Sequence, residues 1–459
     1  MAQISYIKYT DVLEARRYDA ECFVVLSFLK NKYNLINSTD FSDKNYIEII
    51  DGDRGKNYPN GDDFSSKGFC LFLNTSNVLS DGFNLENGQF ITKNKDGILG
   101  GGKLKRNDIV FTTRGTIGNI GIYNEFIEYQ NLRINSGMVI FRLKNINPSF
   151  FFIFLLSPYF KNQIKAYSSG SVQSQIPIQT IKKLKIPLFP QSFQLQIEQI
   201  VKSAHQKQTQ SKKLYHEAEE LLLAELGLLN YQVNHELTFS TTKKAIEQAR
   251  RYDSEYFQPK YAEIIKKIEN YAGGWDFAGE MVKWKKGVEV GTDAYTETGK
   301  DFVRVSDFTV FGLSESNRKI SDEAFEGLKK NYQPKQGEIL FTKDGTIGIS
   351  YVLKEDIQGV LSGAFLRLTL KEKYQDFEKE CLSLIFSSIL CKMQVEKLSG
   401  GALIAHLKPS DFETFKIPLI KPLIQKQIAL KIQESHRLRK ESKDLLEEAK
   451  RKVEEEIEK

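Results

Sequence analysis

Apolar residues recur at alternating steps of three and four through two long stretches of the chain. In the first, over about 193–226, Phe193, Ile197, Ile200, Ala204, Ser211, Leu214, Ala218 and Leu221 fall on one stripe, interrupted by a polar break around 207–210. In the second, from about 423 to 459, Ile424, Ile428, Ser435, Leu438, Ser442, Leu445, Ala449, Val453 and Ile457 do the same. This spacing predicts two heptad-patterned helices. At 1.5 Å per residue each would be roughly 50 Å long, more than packing on a compact domain needs. An antiparallel coiled coil of the two buries both seams and spaces a domain at either end.

The rest of the pattern is short. Runs at 68–73, 108–112 and 137–143 read as strands bounded by Gly, Asn and Asp turns, and runs at 302–305, 338–342 and 363–370 echo them. Helices are expected at 148–166 and 374–397. The fold class is therefore α+β. The expected organisation is a globular domain over 1–190, a spacer helix over 191–229 and a polar linker over 230–243. A second globular domain follows over 244–421, then a second spacer helix over 422–459.

These echoes belong to an internal duplication. Ala15-Arg16-Arg17-Tyr18-Asp19-Ala20-Glu21-Cys22-Phe23 returns as Ala249-Arg250-Arg251-Tyr252-Asp253-Ser254-Glu255-Tyr256-Phe257, and Phe111-Thr112-Thr113-Arg114-Gly115-Thr116-Ile117-Gly118 as Phe341-Thr342-Lys343-Asp344-Gly345-Thr346-Ile347-Gly348. Lys185-Ile186-Pro187-Leu188 matches Lys416-Ile417-Pro418-Leu419. The long helices are copies as well, with His205 answering His436, Ser211 answering Ser442 and Ala218 answering Ala449. Matches in one order at nearly one offset imply two similar globular units.

Composition narrows the chemistry without naming it. Across 459 residues, 65 basic and 59 acidic side chains leave a formal charge of +6, which tolerates a polyanionic partner without demanding one. Cys22, Cys70, Cys381 and Cys391 have no CxxC spacing and no secretory leader precedes them, so they read as reduced thiols of a cytoplasmic protein. No apolar run is long enough to span a membrane.

Several fragments resemble active-site motifs and fail on chemistry. The run from Gly97 to Lys103 fits GxxxxGK, but Leu104 stands where a phosphate loop needs Ser or Thr for magnesium, and a flexible glycine loop is the simpler reading. Asn147-Pro148-Ser149-Phe150 is one residue from the Asn-Pro-Pro-Tyr/Phe loop of amino-methyltransferases. Pro148 reads instead as the first-turn proline of a helix. His205, His216, His235, His406 and His436 show no metal-ligand spacing, so no metal is expected. Nothing argues for catalysis in this polypeptide. Two similar units on a rigid spacer suggest a bipartite DNA reader, with modules of the order of one helical turn apart.

In its doubled order of motifs the chain resembles the specificity subunit of type I restriction-modification systems. The resemblance rests on the RYDxExF segment, on (D/E)-I-(V/L)-F-T-x-x-G-T-I-G, and on Gly170-Ser171-Val172-Gln173-Ser174-Gln175 ahead of Ile186-Pro187-Leu188. A Gln-x-Gln-Ile opening of each long helix completes it. It implies two target-recognition domains joined by two long helices, a non-catalytic role, and an asymmetric double-stranded DNA site read one half per domain. It also implies docking of two modification (methyltransferase) subunits and, through them, restriction subunits. S-adenosylmethionine, ATP and Mg would then belong to the partners, with no cofactor in this chain. A divergent methyltransferase or nuclease and a stand-alone two-domain scaffold or DNA-binding protein are the competing readings. The second half departs from the pattern at Gly400-Gly401-Ala402-Leu403-Ile404 and at Asp344, a carboxylate that repels phosphate but can accept from cytosine N4.

Candidate DNA contacts are the basic cluster Lys103, Lys105 and Arg106, and the turn residues Thr112, Thr113, Arg114 and Thr116. To these are added the loop residues Ser171, Gln173, Ser174 and Gln175, and Arg304, Thr342, Lys343 and Thr346 in the second half. Arg16, Arg17, Asp19, Arg250, Arg251 and Asp253 read as framework ion pairs. Gly115, Gly118, Gly345 and Gly348 read as framework glycines of the two turns.

Overall fold

The computed structural model describes residues 37–85, 88–167, 175–314, 316, 318–399 and 406–459. Expectations placed on Arg16, Arg17, Asp19, Cys22, Ser171, Gln173, Ser174 and 400–404 lie outside these residues. Two compact units divide the chain: residues 1–209 with 440–459, and residues 210–439. The division runs through both long helices. Each unit includes one end of each helix, because those ends pack on the globular part as well as on one another.

In the first unit an antiparallel sheet runs Ile47–Asp51, Met138–Leu143, Ile109–Thr112, Ile120–Ile122. Strand alternation turns Ile109, Phe111, Val139 and Phe141 to one face and Val110, Met138 and Ile140 to the other. The first face meets helices Pro148–Leu156 and Pro158–Tyr167. There the rings of Phe41, Phe111, Phe141, Phe151 and Phe160 interlock at centroid separations of 5.4 to 5.9 Å. The second face meets a smaller sheet of Gln89–Ile91, Cys70–Leu73 and Leu132–Ile134. The second unit repeats the central sheet with Val282–Lys286, Phe365–Leu370, Ile339–Thr342 and Ser350–Val352.

Both helical stretches expected to be continuous are broken. The first breaks at Ser157, which is extended ahead of Pro158, as the residue before a proline prefers to be. The second is two helices, Lys379–Ser387 and Ile389–Ser399, broken at Ser388 with no proline present. The shared device is the serine hydroxyl, which donates 2.7 Å to the carbonyl of Phe154 in one copy and of Ile385 in the other.

The long helices are Gln191–Glu225 and Pro422–Glu458. They pair antiparallel within each unit. In the first, Ser442 donates to the Ala204 carbonyl at 2.7 Å and Lys207 pairs with Glu441 at 2.6 Å, which closes the polar break. In the second, Ser435 donates to the Ser211 carbonyl at 2.7 Å and Lys431 pairs with Glu217. The second helix buries Ile428, Ser435, Leu438, Ser442, Ala449, Val453 and Ile457, as its heptads predict, while Ile424 and Leu445 of the same stripe are only partly buried. On the first helix the stripe is rotated by one residue between shared positions. Ile197, Ala204, Ser211 and Ala218 are buried as expected, but Val201, Tyr215 and Leu222 are buried where Ile200, Leu214 and Leu221 were expected. That helix serves two faces at once, so its apolar stripe is wider than a two-stranded seam. No helix among the described residues is long and apolar enough to cross a membrane.

Candidate nucleic-acid interface

The duplicated FTxxGTIG segment forms the same tight turn in both units. Thr112 is fully buried, donating its hydroxyl to the Thr116 carbonyl at 2.6 Å and accepting from the Asn119 amide at 2.9 Å. Thr342 repeats this with the Thr346 carbonyl at 2.7 Å and the Ile349 amide at 2.9 Å. The glycines supply the left-handed backbone such a turn requires, with φ of 71° and 95° at Gly115 and Gly118 and of 69° and 89° at Gly345 and Gly348. Thr113 is buried too, its hydroxyl on the Gly137 carbonyl at 3.0 Å. The hydroxyls of Thr112, Thr113 and Thr342 are thus committed to the turn, whereas Arg114, Thr116 and Thr346 face outward.

What differs between the copies is what this shared frame presents. Arg114 bridges the backbone of Gln175, and Asp344 bridges that of His406. The anchoring is common, because Ile176 donates to the Thr113 carbonyl at 3.0 Å and Leu407 to the Lys343 carbonyl at 2.9 Å. An exposed cation beside an amide in the first unit is replaced in the second by a carboxylate. Asp344 is paired with both His406 and the largely buried Lys343. Arg304 lies on a second loop of that unit, its backbone N–H donating to Asp307 at 3.1 Å and its guanidinium 3.5 Å from the same carboxylate. The matching Asn74 accepts from the Ser76 amide at 2.9 Å, with Thr75 packed beside Gly115 and Gly137.

The basic cluster does not adjoin the turn. Lys105 and Arg106 precede strand Ile109–Thr112 and the turn follows it, so the two lie at opposite ends of the same strand. Arg106 is held in place, stacked 4.2 Å over Tyr123 and donating to the carbonyls of Ile127, at 2.8 Å, and Asn124. Lys103 pairs with Asp96, whose other oxygen accepts from Arg133 at 3.0 Å. Burial alone would raise the Asp96 pKa, but the bonds from Lys103 and Arg133 hold it below the ordinary carboxylate range. The glycine run before Lys103 wraps this pair, Gly101 accepting from Arg133. Lys105 alone of the three is exposed without such a contact among the described residues.

Other sequence fragments find structural partners. Asn147 caps helix Pro148–Leu156 by accepting from the amides of Ser149 and Phe150, and donates to Glu198 of the long helix at 2.8 Å. Arg251 forms a two-pronged pair with Asp253 at 2.6 and 2.7 Å and donates to the Leu398 carbonyl at 3.1 Å. The duplicated histidines, read from the sequence as structural or interface residues of the paired helices, have partners that their sequence neighbours do not reveal. Asn124 donates its amide to His205 Nδ1 at 2.9 Å, and His436 Nε2 donates to the Val310 carbonyl at 3.1 Å. Each ring fastens a long helix to its own globular part, and burial pushes both pKa values down to about 4. Among the described residues no group of His, Cys, Asp and Glu could hold a metal ion.

A doubled turn of one geometry, doubled paired helices and exposed residues that diverge between copies define a two-part recognition protein. The type I restriction modification DNA specificity domain matches residues 39–220 and again 279–450, and the chain belongs to that family. Its two globular parts are target-recognition domains, and its place is that of a type I specificity subunit. Among solved structures it is similar to the S subunit of a type I restriction-modification system from M. genitalium, at 13% identity and a TM-score of 0.42, over 92% of this chain and 96% of that one. It is also similar to an HsdS subunit from Thermoanaerobacter tengcongensis, at 12% identity and a TM-score of 0.28, over 84% and 89%.

Proposed function

We propose that this chain reads a bipartite, asymmetric double-stranded DNA site, one half-site per unit, and docks two modification subunits that methylate it, with restriction subunits joining through them. The observation that carries the reading is the pair of turns. Their buried threonines and left-handed glycines are alike, and their outward groups are Arg114 with Gln175 in one copy and Asp344 with His406 in the other. A frame kept the same while its exposed polar groups change sign suits two modules that read different base edges. In the first unit Arg114, Thr116 and Gln175 are the candidate contacts. In the second they are Thr346 and Arg304, with Asp344 suited to a cytosine amino group. Lys105 sits apart from either turn as a candidate phosphate contact. The chain itself supplies no chemistry in this reading, and S-adenosylmethionine, ATP and Mg belong to the partners.

Co-expression with its modification subunits, followed by mapping of methylated adenines across a host genome, tests this. The expected result is one asymmetric two-part motif that disappears when this chain is omitted. Methylation of the same sites by the modification subunits alone, or by this chain alone, would overturn it.

A further inference from the structure

Beside each duplicated turn stands a second loop, and its charge changes sign together with that of the turn. Edge strands Ile47–Asp51 and Val282–Lys286 lead into Gly52 and Gly287, which lie against Asn135 and Ser362 too closely for a Cβ at either glycine. Asn135 and Ser362 are themselves equivalent, their amides donating to the Leu73 and Val303 carbonyls at 3.0 and 2.9 Å. Two residues past each glycine the copies differ, with Arg54 in the first unit and Glu289 in the second. Arg54 donates 3.2 Å to the Ser136 carbonyl, one residue before the Gly137 carbonyl that accepts from the Arg114 amide at 3.2 Å. Glu289 lays its carboxylate against Gly363, one residue before the Ala364 carbonyl that accepts from the Lys343 amide at 2.8 Å. Both side chains are exposed. The first turn is thus flanked by two arginines, Arg54 and Arg114, and the second by two carboxylates, Glu289 and Asp344.

We propose that Arg54 and Glu289 determine base specificity together with the turn group beside each. Arg54, with Arg114, reads the acceptor edge of a guanine in one half-site, and Glu289, with Asp344, accepts from a cytosine amino group in the other. This rests on the specificity-subunit reading above. A local ion pair does not account for the change of sign. Arg54 also meets Asp51 at 3.0 Å, but that pair is exposed and screened by solvent. In the second unit Lys286 and Glu289 occupy the same two positions with no ion pair joining them among the described residues, so the fold does not require one. Both side-chain bonds of Arg54 use Nη2, which leaves Nε and Nη1 to donate to a ligand. Arginine suits guanine O6 and N7, whereas a carboxylate accepts from cytosine N4 and is repelled by phosphate. The DNA backbone is the same on both sides, so phosphate contacts have no reason to invert. Inversion at two loops at once is what reading opposite halves of the hydrogen-bond code requires.

The test uses the full chain with its modification subunits, reading the methylated motif across a host genome and DNA affinity by fluorescence anisotropy against salt. Arg54→Ala is expected to relax one G·C position in the half that Arg114→Ala also alters, and to weaken cognate binding about tenfold. Glu289→Ala should relax one G·C position in the other half. Because both side chains are exposed, thermal midpoints should hold. At the position that Arg54→Ala relaxes, 7-deazaguanine, which lacks the N7 acceptor, should weaken the wild type and leave the variant unaffected. An unchanged motif would overturn the proposal, with a shallower salt dependence assigning Arg54 to phosphate and a lower midpoint assigning it to the fold. Relaxation of the same half by both variants would overturn it as well. If the wild-type complex yields no motif that depends on this chain, the specificity-subunit reading fails and these assignments fail with it.

Discussion

Ser435 donates its hydroxyl to the backbone carbonyl of Ser211 at 2.7 Å, with the two hydroxyl oxygens 3.1 Å apart and both residues fully buried. Small polar residues at this seam let the helix backbones approach closely, and their hydrogen bonds fix which residue faces which. Ser435→Ala is expected to cost about 1 kcal/mol through the lost bond, and Ser435→Leu about 1–3 kcal/mol more through overpacking. Urea midpoints of the two variants read this ranking, and an unchanged midpoint for Ser435→Leu would contradict the close seam.

Acid should loosen the helices from the globular parts. His205 and His436 have folded pKa values lowered by burial from 6.5 to about 4. The folded chain therefore disfavours the protonated ring, and the stability this gives is fully present above pH 6.5 and is lost as pH falls towards 4. The loss is expected to be at most about 3 kcal/mol per ring. His205→Gln/His436→Gln should flatten stability across that window relative to wild type, measured as urea midpoint against pH.

The turn separates buried from exposed hydroxyls. Thr112→Val and Thr342→Val each leave a carbonyl and an amide unmatched, at an expected cost of about 1–3 kcal/mol. Thr116→Ala and Thr346→Ala, on the exposed side, should stay within about 0.5 kcal/mol of wild type and act, if at all, on DNA affinity.

At the Asp96 cluster the burial of the two cations decides the outcome. Asp96→Asn strands Arg133, which is 3% exposed, and should cost about 3–5 kcal/mol. Lys103→Met removes the half-exposed partner of the same carboxylate and should cost about 1 kcal/mol or less. Thermal unfolding of the two variants compares them directly.

Exchanging the outward groups of one turn should change one half-site only. Arg114→Asp/Gln175→His is expected to alter the half of the methylated motif read by the first unit and to leave the other half as it was. A motif shifted in both halves, or in neither, would remove these residues from recognition.

The sequence revealed elements whose signal is local and periodic. Strands 109–112 and 339–342 and the heptads of the second long helix stand within a residue or so of where they were expected. It missed features set by tertiary partners. Ser388 breaks a helix without a proline because its hydroxyl takes the Ile385 carbonyl, and a lone serine in an apolar run carries no such warning. The stripe of the first long helix shifted to Val201 and Tyr215 because that helix packs on two neighbours, which a single-seam heptad does not encode. Among the candidate contacts the two turns themselves were legible from their glycines, but which of their hydroxyls are buried was not, because that depends on the carbonyls of Thr116, Gly137 and Thr346. Lys103 and Arg106 looked like a patch because adjacency in sequence hides the distant Asp96 and the Tyr123 ring that occupy them.

Residues 440–459 belong to the first unit, where Ala449, Val453 and Ile457 pack among the core phenylalanines and Tyr159 donates to Glu458 at 2.9 Å. The part of that unit translated earlier must wait, with part of its apolar surface uncovered, until residues 440–459 have been translated. A frameshift near residue 440 would therefore injure a unit whose other residues lie far upstream of the lesion.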